Sequence, residues 1–153
     1  MKTVEHVILE NLLYNDEYSR RVVPFLKDEY FHDRKEKILF ETISQFIFKY
    51  NNLPTKEAVV IDIDKSKSIN EDEYKCVIEL MDSLEKKDNL PDFDWLITET
   101  ETFCKDKAVY NAIMESIHII DGKSSTKTEN AIPSILSDAL SVSFDTHIGH
   151  DYI

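Results

Sequence analysis

The chain has 153 residues, of which 42% are hydrophobic and 10% aromatic, too much apolar material for a disordered tail and enough for a folded core. Its 18 Lys and Arg against 30 Asp and Glu give a formal net charge of −12, which repels the phosphate backbone and disfavours direct DNA binding. No export signal and no apolar run of the roughly 20 residues that a membrane span needs is present, so we expect a cytoplasmic chain whose two cysteines are reduced and fill the core.

The first residues predict two short amphipathic helices. Thr3 can cap a first helix, because a threonine hydroxyl accepts from the free amides of a first helical turn. Asn15 or Asp16 can open the second helix in the same way. Pro24 should kink or end that second helix, since its ring removes a backbone donor.

Two further capping patterns predict the helices that follow. Asp33 with Glu36 precedes a strongly periodic apolar run, and Asn70 with Glu73 precedes another. Between them, residues 51–68 combine a helix start with a short alternating run that is typical of a strand. We predict a short helix and then a loop for this segment.

The second half of the chain predicts a helical hairpin. After Pro91 the longest periodic run extends over about 92–120, and a polar turn then leads into a last helix from Pro133 to Phe144. Four apolar residues of the long run fall seven apart: Leu96, Phe103, Tyr110 and Ile117. This spacing favours packing along a partner helix, and ordinary core packing is the alternative. The fold class is therefore predicted as all-α, with a helical head over residues 1–90 and a hairpin over residues 91–144.

A two-helix hairpin can bury only one face internally, so apolar residues on a second face must contact either the head or another subunit. The candidates for self-association are Tyr110, Ile113, Ile117, Leu136 and Leu140. Ile113 and Ile117 are expected to lie opposite Leu136 and Leu140.

The tripeptide Gly122-Lys123-Ser124 is similar to the end of a phosphate-binding loop. Such a loop needs a glycine five residues before Gly122, where this chain has Ile117, and the chain contains only two glycines. We therefore expect a polar turn here, no bound ATP and no cofactor in these residues.

Histidines and carboxylates give a weak metal-binding pattern. His147, His150 and Asp151 stand near the chain end, and His32-Asp33 forms a second pair. A zinc or iron site needs three or four ligands on a rigid frame, so surface histidines are the favoured interpretation and no metal is predicted. No nucleophile and base pair is evident, and we predict that the chain itself is not an enzyme.

Two segments carry a resemblance to a known family. They are PDFDWLITETETFCKDKAVYNA and AIPSILSDALSVSFDTHIGHDYI, and within the second the matching groups are Ala131-Ile132-Pro133, Asp138-Ala139-Leu140-Ser141, Ser143-Phe144-Asp145 and Gly149-His150-Asp151. The chain resembles the N-terminal domain of T-even-type bacteriophage replicative DNA helicases, a DnaB-like family, over nearly its whole length.

The resemblance implies a collar that organises a hexameric ring and contacts the phage primase and the helicase loader in the infected host's cytoplasm. It implies self-association as a dimer or hexamer, with DNA bound only weakly or through the full ring. Residues 145–153 would begin a linker to a RecA-like ATPase domain, absent from these residues, that uses ATP and Mg. Two alternatives stay open: a small acidic phage protein that mimics DNA or blocks a host protein, and a metal-dependent enzyme.

Overall fold

The computed structural model describes residues 3–124 and 126–144, and over those residues it contains helices and no strand. This confirms the all-α prediction. The α-helices are α1 (Val4–Tyr14), α2 (Asp16–Val22), α3 (Arg34–Tyr50), α4 (Lys56–Lys65), α5 (Glu71–Asp82), α6 (Phe93–Ile120) and α7 (Ile132–Leu140). Two single turns of 3-10 helix lie at Asp28–Tyr30 and Glu129–Ala131. None of the described helices combines the length and the apolarity that crossing a membrane requires.

The predicted caps are present. The Thr3 hydroxyl accepts from the amide of His6 at 3.1 Å, satisfying a donor that the helix itself leaves free. The side chains and amides of Asn70 and Glu73 bond each other reciprocally at 2.8 and 3.1 Å, which completes the capping box of α5.

One residue forms the corner between α1 and α2. Asn15 ends α1 by donating its backbone amide to the Asn11 carbonyl, and it begins α2 by accepting from the Tyr18 amide through its side chain. The side-chain nitrogen Nδ2 of Asn15 also donates to Oδ1 of Asn11 at 3.2 Å, and Asn15 is buried. As predicted, α2 ends before Pro24.

The core of the head lies around α3, against which α1, α4 and α5 pack. Its largest fully buried side chains include Ile8, Leu9, Leu12, Tyr18, Tyr30, Phe31, Leu39, Ile43, Ile63 and Met81. The rings of Phe31 and Phe40 stack with their centroids 4.9 Å apart. Burial of such residues supplies most of the free energy that stabilises a domain of this kind.

Within residues 51–68, where the sequence pattern carries both helix and strand signals, α4 is a helix. A strand over residues 61–64 would place Ile61 and Ile63 on one face, but Ile63 is buried and Ile61 is exposed. Val59 and Ile63 are both buried, which is the four-residue spacing of a helix face. The predicted short helix followed by a loop is therefore confirmed, with α4 capped by Thr55.

The chain divides into two compact units, one ending at Ile97 and the other beginning at Thr98. In the second unit, Glu101 accepts from the Ser143 hydroxyl at 3.1 Å and from the Phe144 amide at 2.9 Å, so the chain returns to α6 after α7. The predicted end of the last helix at Phe144 is wrong. The helix ends at Leu140, and the amide of Phe144 bonds this carboxylate instead of a helical carbonyl.

The predicted head over 1–90 and hairpin over 91–144 stay predictions, and the predicted linker over 145–153 lies outside the described residues.

Candidate interaction surfaces

An exposed apolar band runs along α6 in the second unit. Of the predicted self-association residues, Tyr110, Ile113 and Ile117 are each about half exposed, and on α7 Leu140 is exposed while Leu136 is partly buried. The structure adds Met114 and Ile120, both exposed, to the candidates on α6. Tyr110, Ile113, Ile117 and Ile120 follow the three- and four-residue steps of one helix face. Met114 was not among the predicted residues, although its position four residues after Tyr110 was a usable signal.

The seven-residue stripe does not form one continuous face of α6. Leu96 and Phe103 are buried, whereas Tyr110 and Ile117 are exposed, so ordinary core packing accounts for only the first two. Packing of the other two along a partner helix stays a prediction. A straight α-helix drifts by about 20° per heptad, which turns residues three heptads apart by about 60°. The buried side continues instead through Thr100, Cys104, Ala112, Ser116 and Ile119.

The turn at Gly122-Lys123-Ser124 ends α6. Gly122 has φ of 74°, and the amides of Gly122 and Lys123 donate to the carbonyls of Ile119 and His118, each at 3.0 Å. These are the two bonds of a Schellman motif, in which glycine adopts the left-handed conformation without a steric penalty. The backbone donors that a phosphate loop would present are used here by the helix.

Three basic side chains of the head, those of Arg20, Arg34 and Lys35, are paired with carboxylates. Arg20 lies 2.9 Å from Asp16, Arg34 lies 2.9 Å from Glu73, and Lys35 lies 2.7 Å from Asp33. Such pairs reduce the positive potential that these side chains present to a nucleic acid.

Among residues 3–124 and 126–144, no group of three or more His, Cys, Asp or Glu side chains is arranged to hold a metal ion. His32 is exposed, and the Asp33 carboxylate caps α3 by accepting from the Lys35 amide at 3.1 Å. His147, His150 and Asp151 lie outside the described residues.

The two cysteines differ in environment. Cys104 is buried on α6, as predicted for a core residue, but Cys76 is exposed on α5. The prediction that both fill the core is therefore wrong for Cys76. The buried line of α5 runs through Val77 and Met81, and Cys76 lies beside this line.

An open groove of about 1060 Å³ lies on the head and was not predicted from the sequence. One wall is the face of α3 that includes Phe40, Ser44 and Phe48, and the other is the segment that joins α2 to the first 3-10 turn, including Pro24 and Leu26. Phe48 is 92% exposed, the most exposed of the large apolar side chains among the described residues. The sequence signal for it was weak, because Phe48 belongs to the run Phe46-Ile47-Phe48, where periodicity does not separate core from surface.

Two carboxyl groups meet at this groove. Partial burial raises the pKa of Glu41, and the hydrogen-bonded carboxyl of Asp28 raises that pKa further, while Arg34 and Lys37 lower it. Both Asp28 and Glu41 line the groove. Since two like charges in contact repel each other, this end of the groove favours an added positive charge.

Comparison with known proteins supports the resemblance recognised in the sequence. No family model matches the chain. The chain is 32% identical, over an alignment 155 residues long, to the DnaB-like replicative helicase of Enterobacteria phage T4. The match covers 96% of this chain and 32% of that protein. The similarity to a phage DnaB-like helicase is thereby confirmed, and the chain spans about a third of the relative's length.

Proposed function

Given this similarity to a phage replicative helicase, we propose that the chain serves as the N-terminal collar and oligomerisation domain of such an enzyme. The observation that carries the proposal is the alignment of nearly the whole chain with one third of the T4 protein. In the proposed assembly, ATP and Mg act in a motor domain outside these residues. The collar organises the hexameric ring and contacts the phage primase and the helicase loader in the cytoplasm of the infected host.

The exposed band on α6 supports a role in self-association. Tyr110, Ile113 and Ile117 present apolar side chains to solvent on one helix face. Contiguous apolar patches on a soluble chain mark surfaces that another protein covers, and symmetric assemblies use the same patch on each copy. A second copy of this chain is the partner that the proposed ring requires.

The charge distribution supports a division of labour between the collar and the rest of the enzyme. The collar has a net charge of −12, and its Arg20, Arg34 and Lys35 side chains are paired with carboxylates. Its surface therefore disfavours DNA binding. DNA contacts in the proposed helicase are therefore made through the full ring. The acidic surface of the collar instead suits contacts with partners that carry positive charge.

Sedimentation of the purified chain with matched variants tests the self-association. Ile113→Asp places a charge in the centre of the band, and since this side chain is about half exposed, the helical signal should be retained. We expect this variant to shift the wild-type oligomer toward monomer, because a central interface side chain contributes on the order of 1–3 kcal/mol. Ser134→Asp is the control, since it adds the same charge at an exposed position of α7 and should sediment like wild type.

Leu136→Asp separates two roles for α7. If it dissociates the oligomer while keeping the helical signal, Leu136 belongs to the interface, and if it unfolds the chain, the side chain belongs to the internal packing. A wild-type chain that stays monomeric up to about millimolar concentration, where even ~4 kcal/mol of association would be visible, would contradict self-association through this band.

A further inference from the structure

The groove on the head has the features of a site for a protein segment rather than for a small ligand. It is open to solvent, and buried apolar side chains line both of its walls, among them Leu26 and Phe40. Its volume of about 1060 Å³ lies slightly above the usual range for small-molecule sites, which are also more enclosed. An amphipathic helix laid into such a groove buries its apolar side chains at spacings of three and four residues.

Phe48 provides an aromatic anchor at the edge of the groove. Ser44 and Phe48 are one turn apart on α3, and Phe40 lies one turn before Ser44, so the three residues form one line along the wall. Exposing nearly the whole ring of Phe48 to water forgoes about 1.5–3 kcal/mol that burial would return. Aromatic side chains, Phe among them, are enriched at protein interfaces relative to the rest of the surface.

The ionisable groups around the groove are acidic by one charge. Its lining carries three carboxyl groups, those of Asp28, Glu29 and Glu41, and two ammonium groups, those of Lys27 and Lys49. Of the two lysines that line the groove, Lys49 lies 5.3 Å from the ring centroid of Tyr50, a residue outside the groove lining. The pKa of Glu41 is raised by partial burial and by the hydrogen-bonded Asp28 carboxyl, although Arg34 and Lys37 lower it. A further cation beside the two carboxyl groups would therefore stabilise their ionised forms.

We infer that the groove between α3 and the segment after α2 binds an amphipathic helical segment of another protein, with bulky apolar residues against Phe40 and Phe48 and a Lys or Arg beside Asp28 and Glu41. This contact is separate from the α6 band, because every residue that lines the groove belongs to the unit that ends at Ile97. The partner is basic at that contact because both the local carboxyl pair and the net charge of −12 favour it. A result that refutes peptide binding at the groove would therefore not refute self-association through the α6 band, and the reverse also holds.

A displayed peptide library tests the inference with the whole chain as bait. The library consists of amphipathic peptides of about 16 residues, on the order of four helical turns, with all residue types allowed at the positions flanking the apolar stripe. Selection on the wild-type chain and counter-selection on Phe48→Asp should enrich peptides with Leu, Ile, Phe or Met at helical spacing and a Lys or Arg at one fixed flank. No enrichment, or enrichment of acidic flanks, would overturn the inference.

Point variants then locate the bound peptide by fluorescence anisotropy. Phe48→Ala should weaken the selected peptide by about tenfold or more, as expected for an anchor residue. Glu41→Gln and Asp28→Asn should each reduce the preference for the Lys or Arg peptide over the same peptide carrying Gln there. Ile61→Ala is the matched control, because Ile61 is exposed on α4 and lies outside the groove, so affinity should not change.

Two further outcomes would also refute the inference. Equal binding by wild type and Phe48→Ala would place the peptide elsewhere on the chain. A shift of the wild-type oligomer toward monomer in Phe48→Ala, measured by sedimentation without peptide, would assign the groove to a second copy of the chain and not to a basic partner.

Discussion

The side-chain carboxylate of Glu10 accepts a hydrogen bond from the backbone amide of Glu85, with 2.7 Å between Oε2 and N. Glu10 is buried in the middle of α1, and Glu85 lies in the segment that follows α5. The bond joins positions 75 residues apart and provides an acceptor for an amide outside any helix. A carboxylate in the core of the head is therefore part of how the segment after α5 is held.

Glu10→Ala should lower the free energy of unfolding by about 1–3 kcal/mol, because it leaves a partly buried amide without its acceptor. Urea denaturation followed by far-UV circular dichroism measures the change. Glu79→Ala is the matched control, since Glu79 is exposed on α5 and the same substitution there should change stability by no more than about 0.5 kcal/mol. Equal losses in the two variants would contradict a role for the Glu10–Glu85 bond.

The two thiols should react at very different rates. Cys76 is exposed and Cys104 is buried, so a disulfide reagent should modify one thiol per native chain quickly and the second only when the protein unfolds. Absorbance of the released thiolate gives both the rates and the number of thiols. Cys76→Ser should abolish the fast phase and Cys104→Ser should leave it unchanged. Two fast phases in the native wild type would show that the environment of Cys104 opens readily.

The carboxyl pair at the groove predicts a specific pH dependence of stability. Burial and the Asp28 carboxyl raise the pKa of Glu41 in the folded chain above its unfolded value. The folded state therefore binds this proton more tightly, and the associated stability is present below the unfolded pKa and is lost as pH rises through the folded pKa. Relative to wild type, Glu41→Gln should gain stability as pH rises above the unfolded pKa of a glutamate, by about a few tenths of a kcal/mol because the side chain is only partly buried.

Glu73 provides a comparison of opposite sign in the same experiment. Its bond with the Asn70 amide and its pairing with Arg34 lower the pKa of Glu73, so its contribution is present above the unfolded pKa and lost as pH falls through the folded one. The stability difference between wild type and Glu73→Gln should accordingly shrink toward low pH. A pH-independent difference for either variant would show that the corresponding contacts do not persist in solution.

Single-stranded DNA should bind the isolated chain only weakly at physiological salt. The net charge of −12 opposes the phosphate term that dominates such binding, and Arg20, Arg34 and Lys35 are already paired with carboxylates. Fluorescence anisotropy with a labelled oligonucleotide measures the affinity. Submicromolar binding would indicate a basic face that these ion pairs do not neutralise.

Local signals in the sequence were sufficient where one residue determines one contact. The caps at Thr3, Asn15 and Asn70 and the stop before Pro24 all follow from such signals, and the structure has each of them. The buried face of α6 could not be predicted in this way. The seven-residue pattern of its apolar residues does not specify which side of a straight helix is buried over several turns.

The groove could not be predicted from the sequence, because it is formed by elements that are not adjacent in the chain. Phe40 and Phe48 belong to the same periodic helix, yet one is buried and the other exposed. Phe40 stacks against the ring of Phe31, which lies outside α3, and no local pattern specifies that contact. Four of the five candidate self-association residues, Tyr110, Ile113, Ile117 and Leu140, are exposed as such a role requires, and their partner stays a prediction.

The single-residue corner at Asn15 has a consequence for how sequences of this kind can change in length. Its backbone and its side chain end one helix and begin the next within one residue, so an inserted or deleted residue there would disconnect the cap from both helices and rotate the apolar face of α1 by about 100° relative to α2. Among residues 121–124 and 126–131, between α6 and α7, no single residue caps both helices. Insertions and deletions among homologues should therefore accumulate between α6 and α7 and be purged at the α1–α2 corner.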